Sequence, residues 1–102
     1  MAVQPQAPFA GANALIYGAA KGIGRAVALE FARRGAKVAV ADIDEAAASD
    51  TAAAIAATGG EAIALAANVL SDESVRSAAG AAEAAFGAID IVMNNVGGLL
   101  NG

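Results

Sequence analysis

The 102-residue sequence contains no cysteine and no histidine. Without cysteine, disulfides and thiolate nucleophiles are excluded, and without either residue type the usual zinc sites are excluded as well. The lack of histidine also excludes a histidine-dependent catalytic triad. Asp, Glu, Lys and a single Tyr are therefore the side chains that remain for proton transfer.

Charge is also scarce, at 16% of the residues with a net charge of −4, and there is no block of basic residues. A nucleic-acid footprint is therefore absent. No apolar run approaches the roughly 20 residues of a membrane helix, and the first residues lack the charge and apolar core of a secretory signal. We expect a flexible leader over residues 1–11, with Phe9 the first residue to dock, and one cytoplasmic domain over residues 12–102 with no membrane partner.

The domain is 58% hydrophobic by the composition of the whole chain, although much of this is alanine, which buries little area. Short apolar runs at 14–17, 37–42, 61–68 and 89–94 predict four strands, and the longer stretches between them predict three helices. Strands this apolar are typical of a parallel sheet with helices on both faces. Right-handed crossovers then give strand order 3-2-1-4, which is the first half of a doubly wound Rossmann-type α/β sheet.

Local signals set the helix ends and faces. Gly35 is expected to end the first helix, and Ser71 is expected to cap the third. Ile23, Val27 and Phe31 are four residues apart, so we expect them to form the buried stripe of the first helix.

The stretch YGAAKGIG, residues 17–24, allows two interpretations. In one, Tyr17 and Lys21 are a catalytic pair on one helix face. In the other, the glycines form a loop between a strand and a helix, where backbone N–H groups face phosphates. Gly18 directly follows the apolar strand and permits a sharp turn, which leaves Tyr17 at a strand end. We therefore interpret the stretch as a cofactor loop.

The second predicted strand ends at Asp42, close to the spacing of roughly 20 residues expected for an acid that binds the adenosine ribose. A carboxylate there accepts hydrogen bonds from ribose hydroxyls and repels the 2′-phosphate of NADP. Lys21 and Arg25 would favour NADP if either contacted that phosphate. If they are solvated surface charges instead, they do not affect the choice of cofactor. We expect NAD to be preferred, with NADP left open.

These features resemble the short-chain dehydrogenase/reductase family over nearly the whole chain from Phe9 onward. GAAKGIG is similar to the family's G-x-x-x-G-I-G, and NV at 68–69 stands where the family has Asp-Val beside adenine. NNVG at 94–97 resembles the family's Asn-Asn-Ala-Gly after the fourth strand. The chain departs from the family at three positions, with Tyr17 for threonine, Asn68 for aspartate and Val96 for alanine.

The resemblance implies an NAD(P) cofactor and hydride transfer between nicotinamide and an alcohol or carbonyl. It implies that Asn68 accepts a hydrogen bond from adenine and that Asn95 ties loops to strand ends, while Asp90 is interpreted as structural. No metal ligand is expected. The residues expected to bind the dinucleotide are Gly18, Ala20, Lys21, Gly22, Ile23, Gly24, Asp42, Ile43, Asn68, Val69, Asn95, Val96 and Gly97.

The same resemblance implies a catalytic Ser, Tyr and Lys on a fifth strand and the helix after it, and no residue of this sequence matches them. The chain has one Tyr, no Lys after Lys37 and no Ser after the fourth predicted strand. We therefore expect an incomplete NAD(P)-binding domain, inactive by itself, from the N-terminal part of a longer homo-oligomeric enzyme. The alternatives are a standalone dinucleotide-binding module and a non-functional truncation.

The fourth predicted strand is interior in a complete sheet of this family but forms an edge in this chain. An unpaired apolar edge strand invites pairing with another chain. We therefore expect the isolated chain to self-associate through this strand.

Overall fold

A computed structural model describes residues 8–96 of the chain. Strands and helices alternate through this range, as the sequence predicts. The elements are β1 (Asn13–Tyr17), α1 (Gly22–Arg33), β2 (Lys37–Asp42), α2 (Glu45–Ala57), β3 (Ala62–Ala66), α3 (Asp72–Phe86) and β4 (Ile91–Asn94).

The predicted leader is described only from residue 8, since residues 1–7 lie outside the described range. Residues 8–11 form a turn, and the N–H of Phe9 donates to the carbonyl of Arg34 at 2.9 Å. The ring of Phe9 lies 4.8 Å from that of Phe31, measured between centroids. Phe9 therefore docks against the end of α1.

The four strands form one parallel sheet in the order β3-β2-β1-β4, which confirms the predicted order. In the register, Leu15 of β1 is paired with Ala39 of β2 on one side and with Val92 of β4 on the other. β1 and β2 are the central strands and are almost wholly buried. Their continuous apolar sequences follow from burial on both faces.

Helices cover the two faces of the sheet. The face that carries Ile16 and Val40 packs against α1 and α2, whereas the face that carries Leu15 and Ala41 packs against α3. Most of the fully buried apolar residues are alanines, so the core is thin for its composition, as expected. Small side chains allow the helices to approach the sheet closely.

The predicted buried stripe of α1 is wrong at one position. Ile23 is 74% exposed, and the buried residues of α1 are Gly24 and Ala28, with Val27 and Phe31 partly buried. The physical reason is that the helix faces the sheet through its smallest side chains, which rotates the first-turn isoleucine outward. Gly35 ends the helix with a φ of 103°, as predicted.

Two helices begin with a side-chain cap. Ser71, the predicted cap of α3, accepts a hydrogen bond from the N–H of Ser74 at 3.1 Å. Asp44 caps α2 in the same way, accepting from the N–H of Ala47 at 3.1 Å. α3 also has two acidic residues, Asp72 and Glu73, in its first turn. Their negative charges interact favourably with the positive N-terminal end of the helix dipole.

The start of β4 is fastened to the start of β1 by a reciprocal pair. The N–H of Asn13 donates to Oδ2 of Asp90 at 2.9 Å, and the N–H of Asp90 donates to the carbonyl of Asn13 at 2.8 Å. Asn13 also donates from Nδ2 to the carbonyls of Phe86 and Ala88. Asp90 therefore has the structural role that the sequence indicated.

β4 and β3 are the two edge strands of the sheet within residues 8–96, and Val92 near the centre of β4 is 63% exposed. None of the helices in this part of the chain is long and apolar enough to cross a bilayer.

Candidate functional site

The carboxyl ends of the strands meet along one edge of the sheet. There the N–H of Gly18 donates to the carbonyl of Ala41 at 2.8 Å, and the N–H of Asn95 donates to the carbonyl of Tyr17 at 2.9 Å. A cavity of about 540 Å³ opens at this edge, and we call it the carboxyl-edge pocket. It is lined by Gly18, Lys21, Asp42, Ile43, Ala67, Asn68, Val69, Leu70, Asn95 and Val96.

The glycine loop between β1 and α1 forms one wall, and two of its glycines are required by close approach. A Cβ on Gly24 would overlap the carbonyl oxygen of Gly18 and lie 2.9 Å from Nδ2 of Asn95. A Cβ on Gly18 would lie 2.7 Å from Cγ2 of Val96, and Gly18 also has a φ of 74°. The loop, the first turn of α1 and the segment after β4 are thus packed on one another.

Gly22 differs from its neighbours because the space beside it is open. Its φ is 57°, which favours glycine, yet a Cβ there would meet no atom within 4 Å. The backbone at Gly22 is therefore accessible to a ligand at the start of α1.

The N-terminus of α1 has no side-chain cap, unlike those of α2 and α3. Its N-cap residue is Lys21, and its first turn contains no acidic residue. The N–H groups of the first turn of a helix have no partner within the helix, and the helix dipole adds positive potential there. This end of α1 can therefore accept phosphate groups.

The peptide groups of Ala20, in the middle of the loop, are fastened from two elements. Its N–H donates to Oδ2 of Asp42 at 3.2 Å, and its carbonyl accepts from the hydroxyl of Thr51 at 3.1 Å. Thr51 lies on α2 and is the one buried polar residue of the described chain. Arg25 completes this network by donating from Nη1 to the same hydroxyl oxygen at 2.8 Å.

The carboxylate of Asp42, at the end of β2, is shared by two backbone groups. Besides Ala20, it binds the N–H of Asp44, which donates to Oδ1 at 3.0 Å. Each carboxylate oxygen has a second acceptor position, so Asp42 can still accept from ribose hydroxyls in the pocket. Asp42 therefore supports the loop as well as lining the site.

The two cationic side chains near the loop, Lys21 and Arg25, each interact with a residue of the protein. Nζ of Lys21 lies 3.0 Å from Oδ2 of Asp44, and Arg25 binds Thr51. The N–H of Ala47 and the ammonium of Lys21 together hold the pKa of the Asp44 carboxyl below its usual value.

The opposite wall of the pocket is apolar. Ile43 and Leu70 are 72% and 75% exposed, and both line the pocket together with Val69. The side-chain oxygen of Asn68 accepts the N–H of Leu70 at 3.0 Å, which fixes the turn after β3. Exposed apolar side chains on a pocket wall offer a surface for a planar aromatic ring.

The segment after β4 closes the remaining side. Oδ1 of Asn94 accepts from the N–H of Val96 at 2.9 Å, and Asn95 borders Gly24. The structure thus places Asn95 and Val96 beside the glycine loop. Gly97, which the sequence also assigned to this site, lies outside the described residues.

Tyr17 and Lys21 do not face one another. The hydroxyl of Tyr17 donates to the carbonyl of Val75 on α3 at 3.0 Å, whereas Lys21 reaches Asp44 next to α2 on the other face of the sheet. Burial raises the pKa of the Tyr17 phenol. This geometry does not suit a Tyr-Lys pair that shares a proton.

The structure therefore gathers most of the expected residues at one place. Ala20, Gly22, Ile23 and Gly24 belong to the loop and first turn without lining the cavity. Sequence reasoning missed Ala67 and Leu70, which flank the expected 68–69 pair and line the cavity. Their position just after the carboxyl end of the third strand could have identified them. In the described range, no cluster of three or more acidic side chains is placed to hold a metal ion.

Comparison with known proteins gives the family context. The model of the family described as short chain dehydrogenase matches residues 12–102. The chain is 45% identical over 94 residues to a probable oxidoreductase, EphD, of Mycobacterium tuberculosis, which covers 92% of this chain and 16% of that protein. It is 42% identical over 87 residues to L-rhamnose 1-dehydrogenase (NAD(P)(+)) of Azotobacter vinelandii, covering 81% of this chain and 34% of that protein.

A crystal structure of hydroxysteroid dehydrogenase from Escherichia coli superposes with a TM-score of 0.85 and 35% sequence identity. The match covers 87% of this chain and 38% of that one. The chain thus spans about a third or less of the length of the curated relatives described above.

Proposed function

This chain belongs to the short-chain dehydrogenase family, and on that premise we propose that its carboxyl-edge pocket binds the adenosine end of NAD. The observation that carries the proposal is the uncapped, acid-free start of α1 beside the open space at Gly22. A phosphate-bearing ligand is the group that such a helix end accepts. The pocket volume of about 540 Å³ suits a nucleoside-sized ligand.

The pocket offers a different chemistry to each part of that ligand. Ile43, Val69 and Leu70 supply apolar surface for the adenine. Asp42 supplies acceptors for the ribose hydroxyls, and the α1 N-terminus supplies donors for the phosphates. Asn68 has its side-chain oxygen on the N–H of Leu70, so it contributes to adenine binding through its remaining acceptor position and its amide group.

NAD is the preferred cofactor in this proposal. A 2′-phosphate would stand near the carboxylate of Asp42, and like charges in a pocket repel. The two cations that would offset this repulsion are held by other partners, Lys21 by Asp44 and Arg25 by Thr51. The name of the Azotobacter relative includes both NAD and NADP and therefore favours neither cofactor. The proposed preference for NAD rests on the charges of this chain alone.

We propose that the complete protein is an oxidoreductase for an alcohol or carbonyl substrate. Bound nicotinamide supplies the hydride donor or acceptor of such a reaction. The described residues hold and orient the cofactor, and the 102 residues alone do not catalyse turnover. A homo-oligomeric assembly and a cytoplasmic location are further parts of the proposal that rest on the family resemblance.

Isothermal titration calorimetry with NAD⁺ and NADP⁺ tests this proposal. We expect NAD⁺ to bind roughly tenfold more tightly than NADP⁺, and the Asp42→Ser variant to lose most of that preference. Asp50→Asn is the matched control, because Asp50 is an exposed acid on α2 that does not line the pocket. If neither NAD⁺ nor NADP⁺ binds, the proposal is overturned.

A further inference from the structure

The rim of the carboxyl-edge pocket carries an ion pair that the proposed function does not by itself require. Among the described residues that line the pocket, Lys21 is the one cation and Asp42 the one acid. The ammonium of Lys21 lies 3.0 Å from the carboxylate of Asp44, the N-cap residue of α2, which does not itself line the pocket. The charge that Lys21 presents to a ligand is thus partly cancelled.

Asp44 is held in place independently of Lys21. Its carboxylate accepts the N–H of Ala47 at the start of α2, and its own N–H donates to Asp42. Lys21, by contrast, has a flexible side chain that is 70% exposed. The lysine is therefore positioned by the aspartate, and not the reverse.

The pair contributes little to folding, because ion pairs between exposed side chains are worth little. The side chain of Asp44 is 41% exposed. The ion pair affects ligand binding more than folding, because a phosphate monoester carries a charge of about −1.5 to −2 and would approach the Lys21 ammonium. A carboxylate beside that ammonium competes with the phosphate for it.

We propose that Asp44 is a specificity-determining residue that holds the Lys21 ammonium away from the ribose 2′ position and so disfavours a 2′-phosphate at this rim. The inference rests on the proposed binding of adenosine in the carboxyl-edge pocket. Two acids would then discriminate against a 2′-phosphate. Asp42 would repel it directly, and Asp44 would withhold the Lys21 ammonium from it.

The test measures binding of two fragments that lack nicotinamide, 5′-AMP and adenosine 2′,5′-bisphosphate, by calorimetry at low salt. The variant is Asp44→Asn, which keeps an oxygen to cap α2 and removes the charge. We expect its affinity for the bisphosphate to rise roughly fivefold to tenfold, with the affinity for 5′-AMP unchanged within about twofold. Asp44→Ser, a second neutral cap, should behave in the same way.

Two controls locate the effect. Adding Lys21→Met to Asp44→Asn should abolish the gain, since the released cation is then absent. Asp50→Asn removes one exposed acid from the same helix and should leave both affinities unchanged. The gain should also shrink in 0.5 M salt, because exposed charges are screened.

The possible results distinguish a failure of the proposed adenosine binding from a failure of the proposed role of Asp44. If the unmodified protein binds neither fragment, the proposed function fails. If it binds 5′-AMP, but the neutral variants bind the bisphosphate no better or gain equally for both fragments, the role of Asp44 is overturned.

Discussion

The hydroxyl of Thr51 donates a hydrogen bond to the carbonyl oxygen of Ala20, 31 positions earlier in the chain, at 3.1 Å. This contact joins the interior of α2 to the middle of the glycine loop. On the other side of the same residue, the N–H of Ala20 is held by Asp42. The loop is therefore fixed before any ligand arrives, which reduces the ordering that binding requires.

Replacing Thr51 by Val keeps the shape of the side chain and removes its hydroxyl. The carbonyl of Ala20 then loses its side-chain donor and Arg25 loses its acceptor, so we expect a loss of about 1–3 kcal/mol in the free energy of unfolding. Affinity for 5′-AMP should fall as well. Thr51→Ser retains the hydroxyl and should keep the affinity. Urea unfolding and calorimetry measure both effects, and equal affinities for the Val and Ser variants would contradict this role.

Two glycines of the loop should respond differently to substitution. Gly24→Ala places a methyl group against the carbonyl of Gly18, so we expect destabilisation of about 3 kcal/mol. Gly22→Asn meets open space and retains a residue that tolerates positive φ, so it should cost less than about 1 kcal/mol. The Asn side chain would nevertheless occupy the phosphate approach and weaken NAD⁺ binding. A Gly22→Asn variant that is stable and binds NAD⁺ normally would contradict the placement of the phosphates.

Tyr17 should titrate above the usual pKa of a phenol, about 10, because burial raises the pKa of its hydroxyl. A raised folded-state pKa gives stability that is complete below pH 10 and is lost as the pH rises through the folded-state pKa. Tyr17 is the one tyrosine of the 102-residue chain, which has no tryptophan, so tyrosinate absorbance reports it directly. Tyr17→Phe should lower stability at pH 7 by roughly 1 kcal/mol and flatten its decline above pH 10. A folded-state titration at or below pH 10 would show that the phenol is not buried.

Much of this fold could be predicted from local patterns. Strand order followed from four apolar runs and the handedness of their connections, and the Ser71 cap followed from its sequence position. Ile23 was misplaced because apolar spacing alone does not show which face of a helix contains the smallest side chains. Thr51 carried no usable signal, since a single threonine in an alanine-rich helix does not indicate a bond to a loop 31 residues away.

The site shows a similar division. The glycine loop and Asp42 were identifiable because their spacing reflects a local requirement of the strand, the turn and the helix. The pairing of Lys21 with Asp44 was not, because it depends on where the β2–α2 turn lies relative to the loop. Sequence spacing placed the residues along the chain, and packing decided which charges meet.

The 102-residue chain by itself should self-associate through β4, whose outer backbone edge has no partner strand among residues 8–96 and whose Val92 is exposed on a face of the sheet. We expect light scattering after size-exclusion chromatography to give a mass above the 9.8 kDa of the monomer. Val92→Lys should shift the chain towards the monomer, because charges on edge strands oppose pairing. Ala84→Lys, at an exposed position on α3, is the control and should leave the mass unchanged. A concentration-independent monomer would contradict the prediction.

The central claim is that the carboxyl-edge pocket binds adenosine, and an amide NMR titration of the protein with 5′-AMP tests it most directly. The account predicts saturable shifts concentrated at residues 18–24, 42–44, 67–70 and 95–96, with α3 beyond its first turn little changed. Saturable shifts centred elsewhere, or none at millimolar 5′-AMP, would contradict it.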